Sequence, residues 1–509
     1  MHYVSLIVEF LRGRPAVVFW TAALTQAALW AIIPSLIYFS PPGDVPILLA
    51  IGREFPLGSY LGPPLAFWFG EIAFRTLGMF GVYLLAQVCV VVALWAVFAL
   101  GRSIVGTRHA VLAVLLMVGI AALNVPTPDF GPAVLAMPLW ALALLHYWRA
   151  LGEDARGYWF LVALDVGLLL LTNYAGVILL ALILAFVPVT ARGRRAVRHP
   201  EPWIALVLLA VVIFPHAAWL KESWRLVFSA LDEGARNSSL PPWAWIVTVA
   251  VLSHLGVMQL VLLASGWRGD RRERAPEIDR APAPTAARIF VYYFALMPVT
   301  VAAAIAAVTG KLGPLDRIGP LVLLTGLALI VAAGDHVRIF RERMVSSAWL
   351  GLLVLPPVLT MVGVIVLPWT VGVDLKVGQP TSAMGQFYSD NFQRRTGKPL
   401  RYVAGDARLA SLVALASPSR PHVYFDKTPE RSPWAKAENL RNDGAILLWP
   451  ASDTAGNPPA ELRSQFPEIV PELPRAFARP IEGILPLIRV GWSAVRPANT
   501  PPLPPTPRR

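Results

Sequence analysis

The sequence predicts a polytopic α-helical membrane protein of about eleven spans, followed by a small extracytoplasmic α/β domain. Three observations predict it. Apolar runs of about 20 residues recur between residues 16 and 369, each long enough as a helix to cross a hydrocarbon core of roughly 30 Å. Only 15% of the 509 residues are charged, against about a quarter in ordinary soluble domains. The arginines gather in alternate short connections, so the net charge of +13 reads as topology and attraction to membrane lipids, with no nucleic acid among the partners.

Residues 1–15 are short and basic, with Arg12 and Arg14, and the run 16–39 is too long for a signal-peptide core. It reads as an uncleaved first span. Further spans are expected near 79–100, 110–123, 131–148, 158–172, 174–190, 202–219, 243–266, 288–309, 319–334 and 347–369. One set of connections carries Arg102 and Arg108, Arg149 and Arg156, Arg192 to Arg198, Arg268 to Arg280, and Arg338 to Arg343. The opposite set carries fewer cations: Arg53, Arg75, Lys221, Arg225, Arg236, Lys311 and Arg317. The excess puts the first set and the N-terminus in the cytoplasm. An odd number of spans then leaves the chain beyond about 370 outside, as a periplasmic domain if the membrane is a bacterial inner membrane.

That C-terminal part is different material. Leu400–Ala404, Pro421–Phe425 and Ala445–Trp449 read as strands, with helices over 406–416 and 433–441, an alternation that predicts a parallel sheet. The domains expected are therefore 1–370 in the membrane, 371–495 as the α/β domain, and a disordered proline-rich tail over 496–509. Residues 269–287, rich in Arg, Glu, Pro and Ala, read as a flexible cytoplasmic loop. One cysteine, Cys89, rules out an intramolecular disulfide and a cysteine metal cluster. No internal repeat of the transporter kind, Walker loop, nucleotide-binding glycine motif or HExxH helix is present.

The polar groups worth attention fall in three outside loops. The first holds Asp44, Arg53 and Glu54, with Glu71 further on, and Leu48, Leu49, Ile51, Phe55 and Leu57 give residues 45–57 an apolar side suited to the membrane interface. A plain interfacial helix with solvated charges fits the same pattern, and Glu71 also suits a salt bridge with Arg75. The second loop is Asn124–Asp129, whose Asp129 is placed either to cap the span 131–148 or to meet substrate. The third, Thr309–Arg317, offers Lys311, Arg317 and glycines, either to hold a phosphate or simply to turn. Asp165 lies inside an expected span, where pairing with Asn173 or a neighbouring helix competes with function. His216, beside Trp219 and Lys221, is a candidate substrate contact or part of an interfacial anchor.

An acid just after the first span, the segment Pro63-Pro64-Leu65-Ala66-Phe67-Trp68, an acid after the third span, and Leu168–Gly176 together resemble the membrane-embedded glycosyltransferases of the GT-C type. The likeness is nearest to the bacterial branch related to the dolichyl-phosphate-mannose protein mannosyltransferases and the lipid A aminoarabinose transferase. The resemblance implies transfer of a sugar from a polyprenyl-phosphate donor to a lipid or glycan acceptor, with inversion. It implies Asp44 as the catalytic general base, and Asp129 orients the acceptor or the sugar. Lys311, Arg317 and Arg53 are the candidate donor-phosphate cations, and Glu54, Glu71 and His216 are candidate substrate contacts. No cofactor or metal ligand is assigned; a divalent cation stays open. The sequence departs from the pattern in two places: Leu61-Gly62 stands where relatives carry a charged or His pair, and Val45 follows Asp44 where many have a second acid. Two rival readings remain, a transporter or flippase of a lipid-linked sugar and a non-catalytic scaffold relative.

Overall fold

The structure is a computed structural model that describes residues 9, 11–125, 128–234, 240–266, 277–313, 317–425, 429–451, 456–467 and 469–498. The proline-rich tail from 499, most of the basic loop before 277, Arg236 and Asp316 lie outside the described residues.

The chain is a multi-pass helical membrane protein. Among the described residues, seven helices are long and apolar enough to cross a membrane: α1 (Pro15–Ile37), α3 (Leu65–Met117), α4 (Pro132–Leu151), Glu201–Ala230, Pro242–Ala264, α10 (Thr285–Thr309) and α12 (Glu342–Thr370). Between α1 and α3 lies the short helix α2 (Val45–Gly52). The span from Glu201 belongs to α7 (Glu201–Gly234), and that from Pro242 is two helices, α8 (Pro242–Ser253) and α9 (Leu255–Ala264). The shorter apolar helices α5 (Tyr158–Leu170) and α6 (Gly176–Val189), and the stretch Gly319–Ala332 that ends in α11 (Thr325–Ala332), account for other expected spans. Helix α3 absorbs two of them because it is broken at Leu77–Gly78 and again at Gly106, where the glycines take φ of 61° and 77°.

By contacts the chain forms two compact units. The first is Met1–Leu36, Leu57–Ala66 and Ile72–Thr360; the second is Ile37–Pro56, Phe67–Glu71 and Met361–Arg509. In the first unit, α4 packs along α5, and α5 along α7. An aromatic cluster of Tyr147, Trp148, Phe186, Phe290 and Phe294 joins α4, α6 and α10 in edge-on and tilted ring contacts. The loop expected to be flexible over 269–287 is ordered in its described part: β1 (Glu277–Asp279) pairs antiparallel with β2 (His336–Arg338). Alternating charges across that pair, Arg338 with Glu277 and His336 with Asp279, hold it where composition alone predicted a coil.

The second unit is built on a five-stranded sheet of order β4-β3-β5-β7-β6. The predicted strands are present as β3 (Tyr402–Gly405), β4 (His422–Phe425) and β5 (Ala445–Pro450), mutually parallel. Helices α13 (Thr381–Thr396), α14 (Ala407–Ala416) and α15 (Ala437–Asp443) cover it. Both faces are buried, Ala404, Tyr424 and Leu447 on one and Val403, Val423 and Ile446 on the other, as parallel strands require. The sheet is mixed and larger than expected. β7 (Ile488–Val495) runs antiparallel to β5, and β6 (Arg475–Phe477) extends the edge; the interrupting Gly491 and Ser493 hid β7's period.

Candidate functional site

The first loop as far as Pro56 belongs to the second unit. Helix α2 packs on α14, and Val45, Leu48, Leu49 and Ile51 are buried there. The apolar side expected to lie in the membrane interface is therefore consumed by protein packing, with only Phe55 and Leu57 exposed. An apolar stripe buries against whichever apolar partner is available, and sequence does not distinguish the two. Gly52 permits the close approach of the segment that follows: a β-carbon there would collide with the Phe67 carbonyl and Glu71 Cβ.

Upstream of α2 the backbone is stitched in place. The Phe39 and Ser40 amides both donate to the Val377 carbonyl at 3.0 Å. The Ser40 hydroxyl donates to the Lys376 carbonyl at 2.5 Å and accepts from the Gln379 amide at 3.2 Å. Arg408, in the first turn of α14, donates from its guanidinium to the Gly43 carbonyl, to Pro41 O at 3.2 Å, to Lys376 O at 3.0 Å and to Gln379 Oε1 at 3.1 Å. Asp44 follows directly. It stands at the N-cap position of α2 without a side-chain cap and is exposed; its carbonyl accepts from the Leu48 amide at 2.9 Å, while its carboxylate has no hydrogen-bond or ion-pair partner among the described residues.

The neighbouring acids differ. Glu54 Oε1 lies 2.7 Å from His422 Nδ1. Glu71, its side chain 2% exposed, accepts from Arg420 through both oxygens at 3.0 and 2.8 Å. Arg420 is a partner of Glu71 that the sequence did not suggest, and it lies in the left-handed region at φ 47° just before β4. Arg53 is half-buried in the same unit.

In the first unit, the two stretches that carry the resemblance meet: the Leu65 amide after Pro63-Pro64 donates to the Leu171 carbonyl at 2.9 Å. Before them, Ser59 and Gly62 exchange two backbone hydrogen bonds at 3.0 Å in a tight turn. Gly62 takes φ 138°, which favours glycine, so the departure at Leu61-Gly62 has a backbone reason. His216 closes the same corner. Its Nδ1 donates to the Leu57 carbonyl at 2.8 Å, its Nε2 lies 3.2 Å from the Tyr174 hydroxyl, and its ring stacks on Trp219. Both ring nitrogens are thus occupied.

Asp129 does not cap α4, whose N-cap is Gly131. Its carboxylate pairs with the Arg317 guanidinium, which also reaches the Asp129 carbonyl at 3.4 Å. Arg317 lines a cavity of about 390 Å³ whose other walls are apolar apart from Ser253, among them Ala121, Val125, Val134, Met137 and Ile318. A hydrocarbon cleft with one guanidinium in its wall suits a lipid bearing a phosphate. Lys311 is half-buried in the loop leading to Arg317. Asp165 pairs with His146 Nδ1 at 2.6 Å, across α4 and α5, while Asn173 turns back on the Ala175 amide at 2.8 Å.

Three acids or histidines that converge among the described residues, Glu277, Asp279 and His336, are the ion pairs of the two-stranded β1–β2 sheet. The Asp279 carboxylate raises His336 above its usual range. The structure thus gathers Asp44, Arg53, Glu54 and Glu71 in one unit, and Asp129, Lys311, Arg317 and His216 in the other. Sequence reasoning missed Arg408, Arg420 and His422. For Arg408 the signal available was its place just past the C-terminal end of a parallel strand, where a ligand commonly binds; Arg420 and His422 stand at the opposite, N-terminal end of β4 and carried no such signal.

Residues 62–219 match the model of the family described as dolichyl-phosphate-mannose-protein mannosyltransferase, and over that stretch the chain is similar to it, as its motifs imply. The chain is also similar to the crystal structure of ArnT from Cupriavidus metallidurans in the apo state, at 12% identity and a TM-score of 0.47 over 96% of this chain and 99% of that one. The same protein bound to undecaprenyl phosphate gives 13% identity and a TM-score of 0.44, with the same coverage. The oligosaccharyltransferase of Archaeoglobus fulgidus in the apo form follows, at 14% identity and a TM-score of 0.41 over 85% of this chain and 69% of that one. Among curated proteins nothing matches.

Proposed function

We propose that this chain is an inverting glycosyltransferase that moves a sugar from a polyprenyl-phosphate donor to an envelope acceptor, such as lipid A, lipopolysaccharide or another glycan. The acceptor is met at the outer face of a bacterial inner membrane. The observation that carries the reading is Asp44, an exposed carboxylate without a partner among the described residues, on a backbone fixed on both sides. Such a group is ready to take a proton as the acceptor hydroxyl attacks the anomeric carbon opposite the leaving phosphate. The matched family's name, which sets its mannose on dolichyl phosphate, supports a lipid-phosphate donor here. The apolar cleft with Arg317 supports the same donor chemistry: the cation neutralises charge building on the departing phosphate, and Asp129 holds the guanidinium in orientation. Lys311 and Arg53 are the further cations of this reading. Glu54, Glu71 and His216 serve its frame through their pairings.

In this reading the N-terminus is cytoplasmic and the α/β domain periplasmic, following the arginine asymmetry. The membrane domain is 1–370, the α/β domain 371–495 and the tail 496–509. The test is the mass-spectrometric profile of envelope lipids and glycans from cells lacking the protein, complemented with the native chain or with Asp44→Asn. One sugar is expected to vanish and to return only with the native chain. An unchanged profile, or restoration by both versions, overturns the assignment of Asp44.

A further inference from the structure

We infer that Arg408 is a positioning residue for Asp44, so that the α/β domain sets the geometry of the base. The inference rests on the reading of Asp44 as that base. Arg408 lies one residue beyond Ala407, the first residue of α14, just past the C-terminal end of β3. The neighbours of β3 are β4 on one side and β5 on the other. The connection out of β3 runs to β4, and the connection out of β4 passes back across β3 to β5, so the chain reverses direction beside β3, which makes this the topological switch point of the parallel part of the sheet. An open α/β sheet ordinarily receives a ligand at that place. Here it receives a segment of the chain itself. The residue before Arg408 by two, Asp406, accepts from the Leu409 amide at 2.9 Å and fixes the first turn of the helix.

From that turn the guanidinium spends its donors on four acceptors of two segments: Pro41 O and Gly43 O on the Asp44 loop, Lys376 O and Gln379 Oε1 on the strand of chain beside it. Only arginine presents several N–H groups in a fixed planar fork, and lysine offers one ammonium that cannot span these acceptors. The acceptors that matter are peptide carbonyls, and the carbonyl of Gly43 belongs to the peptide unit that leads into Asp44. Gly43 itself takes φ 47°, in the left-handed region, so the turn needs an external hold to keep one orientation. The helix on the far side of Asp44 is pinned by apolar burial of Val45 and Leu48. Arg408 therefore supplies the hold on the near side. Its loss lets the turn rotate about Gly43 while α2 stays packed, displacing the carboxylate without unfolding the unit. A misplacement of about 1 Å at a reacting group costs roughly 100-fold in rate.

The test uses full-length protein in isolated membranes at matched levels, with undecaprenyl-phosphate-linked sugars extracted from the same cells as the titrated donor. The product followed is the glycan lost from the deletion strain. Arg408→Ala is expected to lower the plateau rate about 10- to 100-fold and to leave the half-saturating donor level within twofold. Arg408→Lys is expected to recover part of the plateau. If Arg408→Ala fails to accumulate, Arg408→Lys decides, since it keeps the charge and the packing. A native plateau in the Arg408 variants, with Asp44→Asn inactive, overturns this inference alone; so does a loss seen only in the donor half-saturation. An active Asp44→Asn overturns the parent reading and this one together.

Discussion

Within the second unit, two carboxylates of the same region stand in contrasting surroundings. Glu71 is buried and holds Arg420 through both oxygens, while Asp44 is exposed and holds nothing among the described residues. A buried acid is tolerated because its charge and lone pairs are answered, and that answer removes it from chemistry. An exposed acid on a loosely held loop is equally useless, since its position is not defined. Asp44 combines an unanswered side chain with an answered backbone. On the proposed reading, the reactive group is the carboxylate that the fold has spent hydrogen bonds to place and none to neutralise.

Each substitution below tests one side of that contrast. Asp44→Asn is expected to lower transfer by about 10²- to 10⁴-fold, the range for loss of a general base, with an unchanged thermal unfolding midpoint in detergent. A shifted midpoint would make Asp44 a structural residue and end the contrast. Glu71→Ala is expected to do the reverse. Leaving Arg420 without its carboxylate costs about 3 kcal/mol of stability, below the full buried-pair figure because Arg420 is 24% exposed; chemical denaturation of the purified protein measures it. Arg317→Ala lies outside the second unit and extends the comparison to a cation: the half-saturating donor level is expected to rise about tenfold, since a charged hydrogen bond is worth about 1.4 kcal/mol or more. Smallest is Tyr388→Phe. Its hydroxyl is buried, pushed up from its usual range by desolvation, and without a partner among the described residues. The change is expected to be neutral or to stabilise by up to about 1 kcal/mol, read as a rise in the unfolding midpoint. A fall would reveal a hidden partner for the phenol.

How far the sequence reaches follows the range of the forces involved. Spans such as 15–37 and 285–309 were legible because one helix's own composition decides them. The strands β3, β4 and β5 were legible because a buried parallel strand is a continuous apolar run. Asp129 and Arg317 were each legible as polar loop residues, but their pairing spans 188 positions and no local pattern encodes it. The apolar side of α2 was legible, and its destination was not, since lipid and the face of α14 reward the same stripe. Arg408, Arg420 and His422 were harder to single out for a related reason: the Gly43 carbonyl, Glu71 and Glu54 that they meet lie hundreds of residues earlier. Local periodicity carries secondary structure, whereas a site assembled from distant segments has to be seen folded.

Interleaving of the second unit has a consequence for how the protein is made. The segment carrying Asp44 leaves the ribosome 365 residues before Arg408, which at about 5–20 residues per second is a delay of roughly 20–70 s. For that time α2 is synthesised without the surface that buries Val45, Leu48, Leu49 and Ile51. Its apolar stripe is then free to rest on lipid headgroups, so the interfacial state suggested by its sequence becomes a way-station of biogenesis. Docking of α2 onto α14 has to wait for translation of residues 407–416. Nascent chains stopped before residue 407 should accordingly carry an assembled membrane bundle and an undocked first loop, a state in which activity waits on synthesis of α14 and the rest of the sheet.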